Sequence, residues 1–368
     1  MKVLFHHPLP LNERATSASG IRPIRMLNAF RDAGCEVEII AGYSTERKRA
    51  IQKVKENVRA GVQYDLMYSE SSTMPTALTD RHHLPIRPFM DFAFFNFCTR
   101  NGIPIGLFYR DIYWRFANYG KGLNPFKVLM AKAFYWFDLY AYQKTVTKLY
   151  LPSLEMGEYV PLVLSDRFAA LPPGHDGNAG ADDQIGSSGN PSEGQPLRLF
   201  YVGGMSSHYQ MHKLFNAVSG LPRIQLTICT REGEWKAVQP EYPDLPDNIK
   251  VVHEYGDVMQ AMLRQCDLAL LFVKPQEYWE FAAPVKLYEY LGNHKPIIAS
   301  AGTLAGRFVE SQGVGWAVPY QEGSMRQILK YLLAEPESLE AVRSRCAEVA
   351  QEHSWQARAR QVIEDLAV

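Results

Sequence analysis

The sequence of 368 residues has little of what would place a protein outside the cell, inside a membrane or on nucleic acid. Its five cysteines are scattered, which argues against a disulfide scaffold or a zinc site and favours a reducing compartment. Its apolar runs, such as 268–273, are far shorter than the ~18 residues that span a bilayer. Lysine plus arginine and aspartate plus glutamate each number 39, so no net charge predicts nucleic-acid binding.

The amino terminus and the overall composition are those of an ordinary globular protein. Met1 is followed directly by the strand-like residues 2–5, so we expect no signal segment and a cytoplasmic location. The hydrophobic fraction is 46% and the charged fraction 21%. A chain of this length predicts two domains of about 150 to 180 residues each.

Apolar strands alternate with helical segments along the chain and predict an α/β fold with parallel sheets. The first forty residues form a strand at 2–6, a helix at 24–33 and a strand at 37–40. Residues 174–195 are rich in Gly, Ser, Asn and Asp and predict a linker. The predicted divisions are a first domain at 1–172, the linker at 173–196, a second domain at 197–352 and a terminal helix at 353–368.

The segment 280–300 combines a helix signal with polar residues that a helix does not need. Pro284 fits the first helical turn, and Pro296 opens a buried strand at 297–299. Lys286 and Glu289 share one helical face near the amino terminus, where the helix dipole favours an anion. The lysine can hold a phosphate and the carboxylate can accept hydrogen bonds from sugar hydroxyls. The alternative is a solvated Lys–Glu pair on an ordinary surface helix.

Polar turns at other strand ends of the second domain point to the same ligand. Gly203 and Gly204 stand between a strand and a helix, where backbone can approach a diphosphate. The further glycines of a dinucleotide fingerprint or a Walker loop are missing from this turn, so NAD and ATP are less well supported. Arg231 at a strand end offers another polar contact. A plain turn at 203–204 is the alternative.

In the first domain, two stretches carry candidate ligand contacts. The loop 17–20, with Ser19 and Gly20, precedes a helix, and its amides can face a ligand; a plain connecting loop is the alternative. After the strand at 104–108, Arg110, Asp111 and Arg115 occur among four aromatic rings. The arginines suit a phosphate-bearing acceptor, and Asp111 suits a general base or an acceptor anchor. The alternative is an Arg–Asp pair that closes the strand end.

The segment 121–150 is aromatic and basic, with five lysines and a single acid, Asp138. A helix of this composition can lie on an anionic membrane surface, with its rings at the acyl boundary. Aromatic stripes are more often buried, so a packed helix is the alternative.

The segment 284–300 resembles the nucleotide-sugar signature of GT-B glycosyltransferases, in which Pro-x-Lys-x-x-Glu-Tyr precedes a Gly-x-Pro-Val-Ile-Ala-Ser strand. The resemblance implies two Rossmann-like domains that face a cleft, with the terminal helix crossing back to the first domain. It implies that Lys286 contacts the donor diphosphate, that Glu289 contacts the ribose, and that Tyr255 and Gly256 meet the nucleobase. Retaining members carry an earlier Glu where position 281 is Phe here, so inversion and retention both stay open.

The resemblance implies a glycosyltransferase that moves a sugar from a nucleotide-diphosphate sugar to a lipid-linked saccharide in surface-polysaccharide synthesis. No Asp-x-Asp motif stands at a suitable strand end, so we expect no metal and no cofactor. In an inverting reaction Asp111 would take the acceptor proton; in a retaining one it would position the acceptor. The alternatives are a nucleotide-sugar epimerase of the same fold and a non-catalytic partner that binds the sugar nucleotide.

Overall fold

The computed structural model describes residues 1–15, 18–176, 195–205, 209–242 and 245–367. The chain divides into two compact units, which comprise residues 1–173 with 355–368 (unit 1) and residues 174–354 (unit 2). Most of the predicted linker 173–196, and residue 17 of the predicted loop 17–20, lie outside the described residues. The predicted domain limits therefore stay predictions.

Unit 1 contains a six-stranded parallel sheet of order β2-β1-β3-β4-β5-β6. Its strands are β1 Lys2–His7, β2 Glu36–Ala41, β3 Leu66–Glu70, β4 Ile105–Phe108, β5 Lys148–Leu151 and β6 Phe168–Ala170. Its helices are α1 Ala18–Asp32, α2 Ser44–Arg59, α3 Met90–Arg100, α4 Pro125–Thr145 and α12 Trp355–Leu366. Helix α12 shares a buried apolar cluster with α1, and a Cβ atom at Gly106 of β4 would lie 2.8 Å from Leu366 of α12. The glycine therefore lets α12 pack closely on the sheet.

Unit 2 contains a second six-stranded parallel sheet, of order β12-β11-β10-β7-β8-β9. Its strands are β7 Leu197–Val202, β8 Ile224–Cys229, β9 Ile249–Val252, β10 Leu268–Leu271, β11 Ile297–Ser300 and β12 Gly315–Val318. Its helices are α5 His212–Val218, α6 Glu232–Val238, α7 Gly256–Gln265, α8 Val285–Gly292, α9 Leu304–Gln312, α10 Glu322–Ala334 and α11 Glu337–Ala350. Strands β10 and β11 are buried throughout, because helices cover both faces of a parallel sheet. The predicted α/β class with Rossmann-like domains is confirmed.

The structure corrects the start of the first helix. Helix α1 begins at Ala18 rather than Ile24, so Ser19 and Gly20 belong to its first turn and not to a loop. Pro23 lies inside the helix. The proline lacks one backbone donor, and it stands close enough to the helix start that few internal hydrogen bonds are lost.

Candidate functional site

The side chain of Lys286 lies at the turn that follows β7 in unit 2. Helix α8 begins at Val285, directly after Pro284, and so places Lys286 in its first turn. The Lys286 ammonium donates a hydrogen bond to the Tyr201 hydroxyl at 3.1 Å. It also lies 4.6 Å from the ring centroid of Tyr201 and 4.9 Å from that of Tyr209, within range of cation–π attraction.

The charge of this ammonium is only weakly compensated. Burial lowers the pKa of Lys286 from 10.5 to about 8, and the nearby carboxylates of Glu289 and Glu234 act in the opposite direction. Within the described part of the chain, no carboxylate reaches ion-pair distance of its Nζ atom. A half-buried cation whose hydrogen-bond partner is a phenol can bind an incoming anion without first breaking a salt bridge.

Gly203 is required by the position of this lysine. Its φ is +148°, and a Cβ atom at this position would overlap Lys286 Nζ. The Gly203 amide donates to the carbonyl oxygen of Cys229 at 2.9 Å, and its predicted contact with the diphosphate stays a prediction. The Gly204 amide has no partner among the described residues, and its role as a phosphate donor stays a prediction.

Glu234 is a residue of this site that the sequence analysis missed. Its Oε2 atom accepts a hydrogen bond from the Met205 amide at 3.1 Å, and its Oε1 atom pairs with the Arg231 guanidinium. The carboxylate thereby ties the turn after β7 to the start of α6. Arg231 and Glu234 stand three residues apart after a strand end, which is the sequence signal for such a pair.

The remaining predicted donor contacts are more dispersed. Glu289 follows Lys286 by one helical turn, is half-buried and raises the pKa of that lysine. Tyr255 is exposed just before α7, and Gly256 begins that helix with a φ of +58°. Neither Tyr255 nor Gly256 makes a hydrogen bond or ring contact with the residues around Lys286 in the described part of the chain. Their role at the nucleobase stays a prediction.

A cavity of about 390 Å³ lies at the carboxyl ends of β1 and β3 in unit 1. Its wall includes three of the predicted acceptor residues, Ser19, Gly20 and Arg110. It also includes residues that the sequence analysis did not place there, among them His7, Arg14, Ser72 and Thr73. Arg115 and Asp111 do not line it.

A buried carboxylate, Glu70 at the end of β3, holds two arginines beside this cavity. Arg110 donates to Glu70 Oε2 at 3.0 Å and to the Ser71 carbonyl at 3.3 Å. Arg22 approaches Glu70 Oε1 at 3.2 Å and donates to the Leu171 carbonyl at 3.1 Å. Two guanidinium groups thus share one carboxylate, and the cluster carries a surplus positive charge.

Among the described residues, Asp111 and Arg115 make no hydrogen bond or ion pair with this cluster. The alternative of an Arg110–Asp111 pair is not found, because Arg110 pairs with Glu70. Asp111 accepts a hydrogen bond from the Tyr113 amide at 2.8 Å, and burial raises the pKa of its carboxyl group, which increases its strength as a base. Arg115 is exposed and lies 5.7 Å from the ring of Trp136.

A second buried cluster joins β1, β3, α2 and α3. His6 lies 2.8 Å from Ser69 Oγ and 3.1 Å from Asp91 Oδ1, an order of groups found in hydrolases. Arg47 binds both carboxylate oxygens of Asp91 at 2.9 Å, and all four side chains are buried. Burial lowers the pKa of His6, and the pKa of Asp91 falls to about 2 because His6 and Arg47 outweigh its burial. Because all four side chains are buried, a substrate cannot reach this cluster, and its hydrogen bonds join the four elements.

Helix α4 is packed over its carboxyl-terminal half and exposed near its start, and its contact with a membrane stays a prediction. Its carboxyl-terminal half is packed, with Tyr135, Leu139 and Tyr142 buried. Near its start, Phe126 is 72% exposed and Leu129 is 67% exposed. In the described ranges, no helix is both long enough and apolar enough to cross a bilayer.

Comparison with known proteins finds matches among solved structures. No protein-family model matches the chain, and no curated protein matches it. The structure is similar to that of HepE from Anabaena in complex with UDP, with a TM-score of 0.66, 14% identity and coverage of 100% of this chain and 99% of that one. The fold is that of the GT-B glycosyltransferases.

Two further GT-B structures agree over the whole chain. Sucrose-phosphate synthase from Thermosynechococcus elongatus gives a TM-score of 0.63 at 13% identity and covers 99% of this chain and 98% of its own. WaaG, a glycosyltransferase involved in lipopolysaccharide biosynthesis, gives a TM-score of 0.59 at 14% identity. The match covers 100% of this chain and 99% of WaaG. The resemblance read from segment 284–300 is therefore confirmed at the level of fold.

Proposed function

We propose that this protein is a glycosyltransferase that takes a sugar from a nucleotide-diphosphate sugar and passes it to a saccharide acceptor held by unit 1. The observation that carries the proposal is the Lys286 ammonium, whose half-buried side chain lies at the turn after β7 without an ion-pair partner among the described residues. The likeness to HepE, which was crystallised with UDP and with UDP-glucose, supports a UDP-sugar as the first donor to test.

The proposed chemistry assigns the leaving diphosphate to unit 2. Lys286 neutralises its developing charge, the Gly204 amide donates to a phosphate oxygen, and Glu289 accepts hydrogen bonds from the ribose. Lys286 and the Gly204 amide stabilise the negative charge without a metal ion, so metal independence is part of the proposal. In the described part of the chain, no three His, Cys, Asp or Glu side chains converge as metal ligands.

Asp111 has the proposed role on the acceptor side. Its raised pKa suits a group that removes a proton from the acceptor hydroxyl in an inverting reaction. In a retaining reaction the leaving phosphate would take that proton and Asp111 would position the acceptor. The position where the resemblance expects the earlier Glu is occupied by Phe281, which is buried against the ring of Tyr278 and provides no carboxylate.

The test is a panel of UDP-, GDP- and ADP-sugars, with release of nucleoside diphosphate measured with and without a bacterial lipid extract. Release that depends on the extract supports the transferase. An altered nucleotide sugar without release indicates an epimerase, and binding without either product indicates a non-catalytic protein. We expect Lys286→Ala to abolish donor binding and Asp111→Asn to spare binding while lowering turnover. The reverse pattern would contradict these roles.

We further propose that the acceptor is lipid-linked and that the protein works as a peripheral protein on the cytoplasmic face of the membrane, in surface-polysaccharide synthesis. The exposed apolar start of α4, which also carries Lys127 and Lys132, has the composition of an interfacial helix. The likeness to WaaG supports the surface-polysaccharide role.

Co-sedimentation with liposomes that contain phosphatidylglycerol tests the membrane contact. The double variant Phe126→Ser, Leu129→Ser should stay in the supernatant, because it loses the apolar surface that would enter the membrane. Both side chains are exposed, so the substitutions remove no buried apolar surface from the core. Val258→Ser, at a residue 52% exposed on α7, is the matched control and should sediment like the parent protein. Equal sedimentation of both variants would remove the membrane proposal.

A further inference from the structure

The cavity in unit 1 has a wall that is basic and hydroxyl-rich. Arg14 and Arg110 line it together with Ser19, Ser72 and Thr73, and its described lining residues include no aspartate or glutamate. Its volume of about 390 Å³ falls in the range of small-molecule sites, roughly 300 to 1,000 Å³. Uncharged sugars are commonly held by carboxylates, because these accept hydrogen bonds from hydroxyl groups. This wall offers cations instead.

Arg110 is only partly used by the protein. Its Nε atom donates to the Ser71 carbonyl and its Nη2 atom to Glu70. Its Nη1 group has no partner among the described residues. Because Arg22 also forms an ion pair with Glu70, the single carboxylate cannot neutralise both guanidinium groups. A positive charge with free N–H donors therefore borders the cavity.

His7 supplies the second unused group. The side chain is 4% exposed, and its Nδ1 atom lies 3.1 Å from the Glu70 carbonyl oxygen. A carbonyl oxygen only accepts, so Nδ1 carries the proton and Nε2 carries a lone pair when the ring is neutral. Burial lowers the pKa of His7 to about 3, which keeps the ring neutral near pH 7. Within the described ranges, Nε2 has no partner, and the ring lines the cavity.

We infer that this cavity binds an anionic saccharide, whose charged group lies between Arg110 and Arg14 and one of whose hydroxyl groups donates to His7 Nε2. The anionic group is an oxyanion that suits guanidinium donors, namely a phosphate ester or a carboxylate. The inference rests on the proposed function, since it makes this saccharide the acceptor. It narrows the acceptor from saccharides in general to those with a negative charge.

The test compares glucose 6-phosphate, glucuronate and glucose as probes in calorimetric titrations of the full chain saturated with UDP. Filling the donor site first prevents the probes from binding at Lys286. Both anionic probes should bind at least about tenfold more tightly than glucose, as expected for one charge-assisted contact. The ratio of the two anionic affinities then distinguishes a phosphate site from a carboxylate site.

Two exposed arginines and the buried His7 provide the variants. Arg14 is exposed, and Arg14→Gln should lower the affinity for both anionic probes about tenfold while leaving the affinity for glucose unchanged. Arg31→Gln, at an exposed position in the last turn of α1, is the matched control. His7→Asn keeps a donor for the Glu70 carbonyl and removes Nε2. It should therefore lower the affinity for all three probes by a similar factor and preserve the ratios between these affinities.

Three outcomes would overturn the inference: glucose binding as tightly as the anionic probes, equal effects of the two arginine variants, or no saturable binding of either anionic probe up to about 10 mM. Binding of UDP in the same titrations separates this failure from failure of the proposed function. If UDP binds and the anionic probes do not, the donor assignment stands and the acceptor inference falls. If UDP does not bind, it cannot keep the probes away from Lys286, so the probes are titrated into the Lys286→Ala variant instead.

Discussion

If the proposed donor site is correct, the pKa of Lys286 predicts the pH range in which a nucleoside diphosphate should bind. An ordinary lysine stays charged up to pH 10, but burial lowers this pKa to about 8. The protonated fraction therefore falls from about 0.9 at pH 7 to about 0.1 at pH 9. The terminal phosphate of UDP ionises near pH 6 and keeps a nearly constant charge over this range. If the ammonium holds the diphosphate, the affinity for UDP should fall about tenfold between pH 7 and pH 9.

Calorimetry measures this effect in two ways. Titrations with UDP at pH 7, 8 and 9 give the affinity at each pH. Repeating the titration at pH 8 in buffers of different ionisation enthalpy should show uptake of about half a proton per UDP, because bound diphosphate restores the ammonium form. Lys286→Arg keeps its charge throughout and should bind with the same affinity from pH 7 to pH 9.

A matched lysine excludes a general effect of pH on the protein. Lys330 is exposed on α10, and Lys330→Met should keep the pH dependence of the parent protein. An affinity that stays constant between pH 7 and pH 9 in the parent, or no proton uptake at pH 8, would refute the reasoning. Either result would mean that Lys286 is not the cation that meets the diphosphate.

Three other substitutions test the surroundings of this site and the core. Gly203→Ala should abolish UDP binding in calorimetry, because its Cβ atom displaces Lys286, whereas Gly323→Ala, which meets no neighbour, should not. Glu234→Gln removes an acid that raises the pKa of Lys286, so the alkaline loss of UDP affinity should move to lower pH. Asp91→Asn should lower the free energy of urea unfolding by about 3 to 5 kcal/mol. In the parent protein the Asp91 carboxylate stabilises the fold above pH 4, and this stabilisation should be lost as the pH falls towards 2.

The sheets and the position of Lys286 could be predicted because each rests on a local pattern. Strands buried on both faces are continuously apolar, as at 268–271 and 297–299, and such runs predict a parallel sheet. Pro284 marks the start of α8, and this start determines which residues stand in its first turn. The start of α1 was predicted wrongly, because Gly20 and Pro23 favour a loop unless tertiary packing supports a helix.

The partners of the charged residues could not be predicted, because they come from distant parts of the chain. Arg110 has an acid beside it in sequence, Asp111, yet neighbouring residues of an extended chain point to opposite sides. Its partner is Glu70, which lies 40 residues away and reaches it through the pairing of β3 with β4. The same holds for Arg47 and Asp91, which are 44 residues apart. Strand order determines these contacts, and spacing along the sequence does not encode it.

The two sites differ in how their charges respond to pH, which gives a test of the division of roles between the units. In unit 1 the cavity is lined by guanidinium groups, which stay protonated, and by His7, whose pKa of about 3 keeps it neutral. In unit 2 the cation titrates near pH 8. Once an acceptor with a carboxylate is identified, steady-state kinetics from pH 7 to pH 9 should show a donor KM that rises about tenfold and an acceptor KM that stays constant. If both constants rose together, a single titrating group would serve both substrates, and the assignment of donor to unit 2 and acceptor to unit 1 would be wrong.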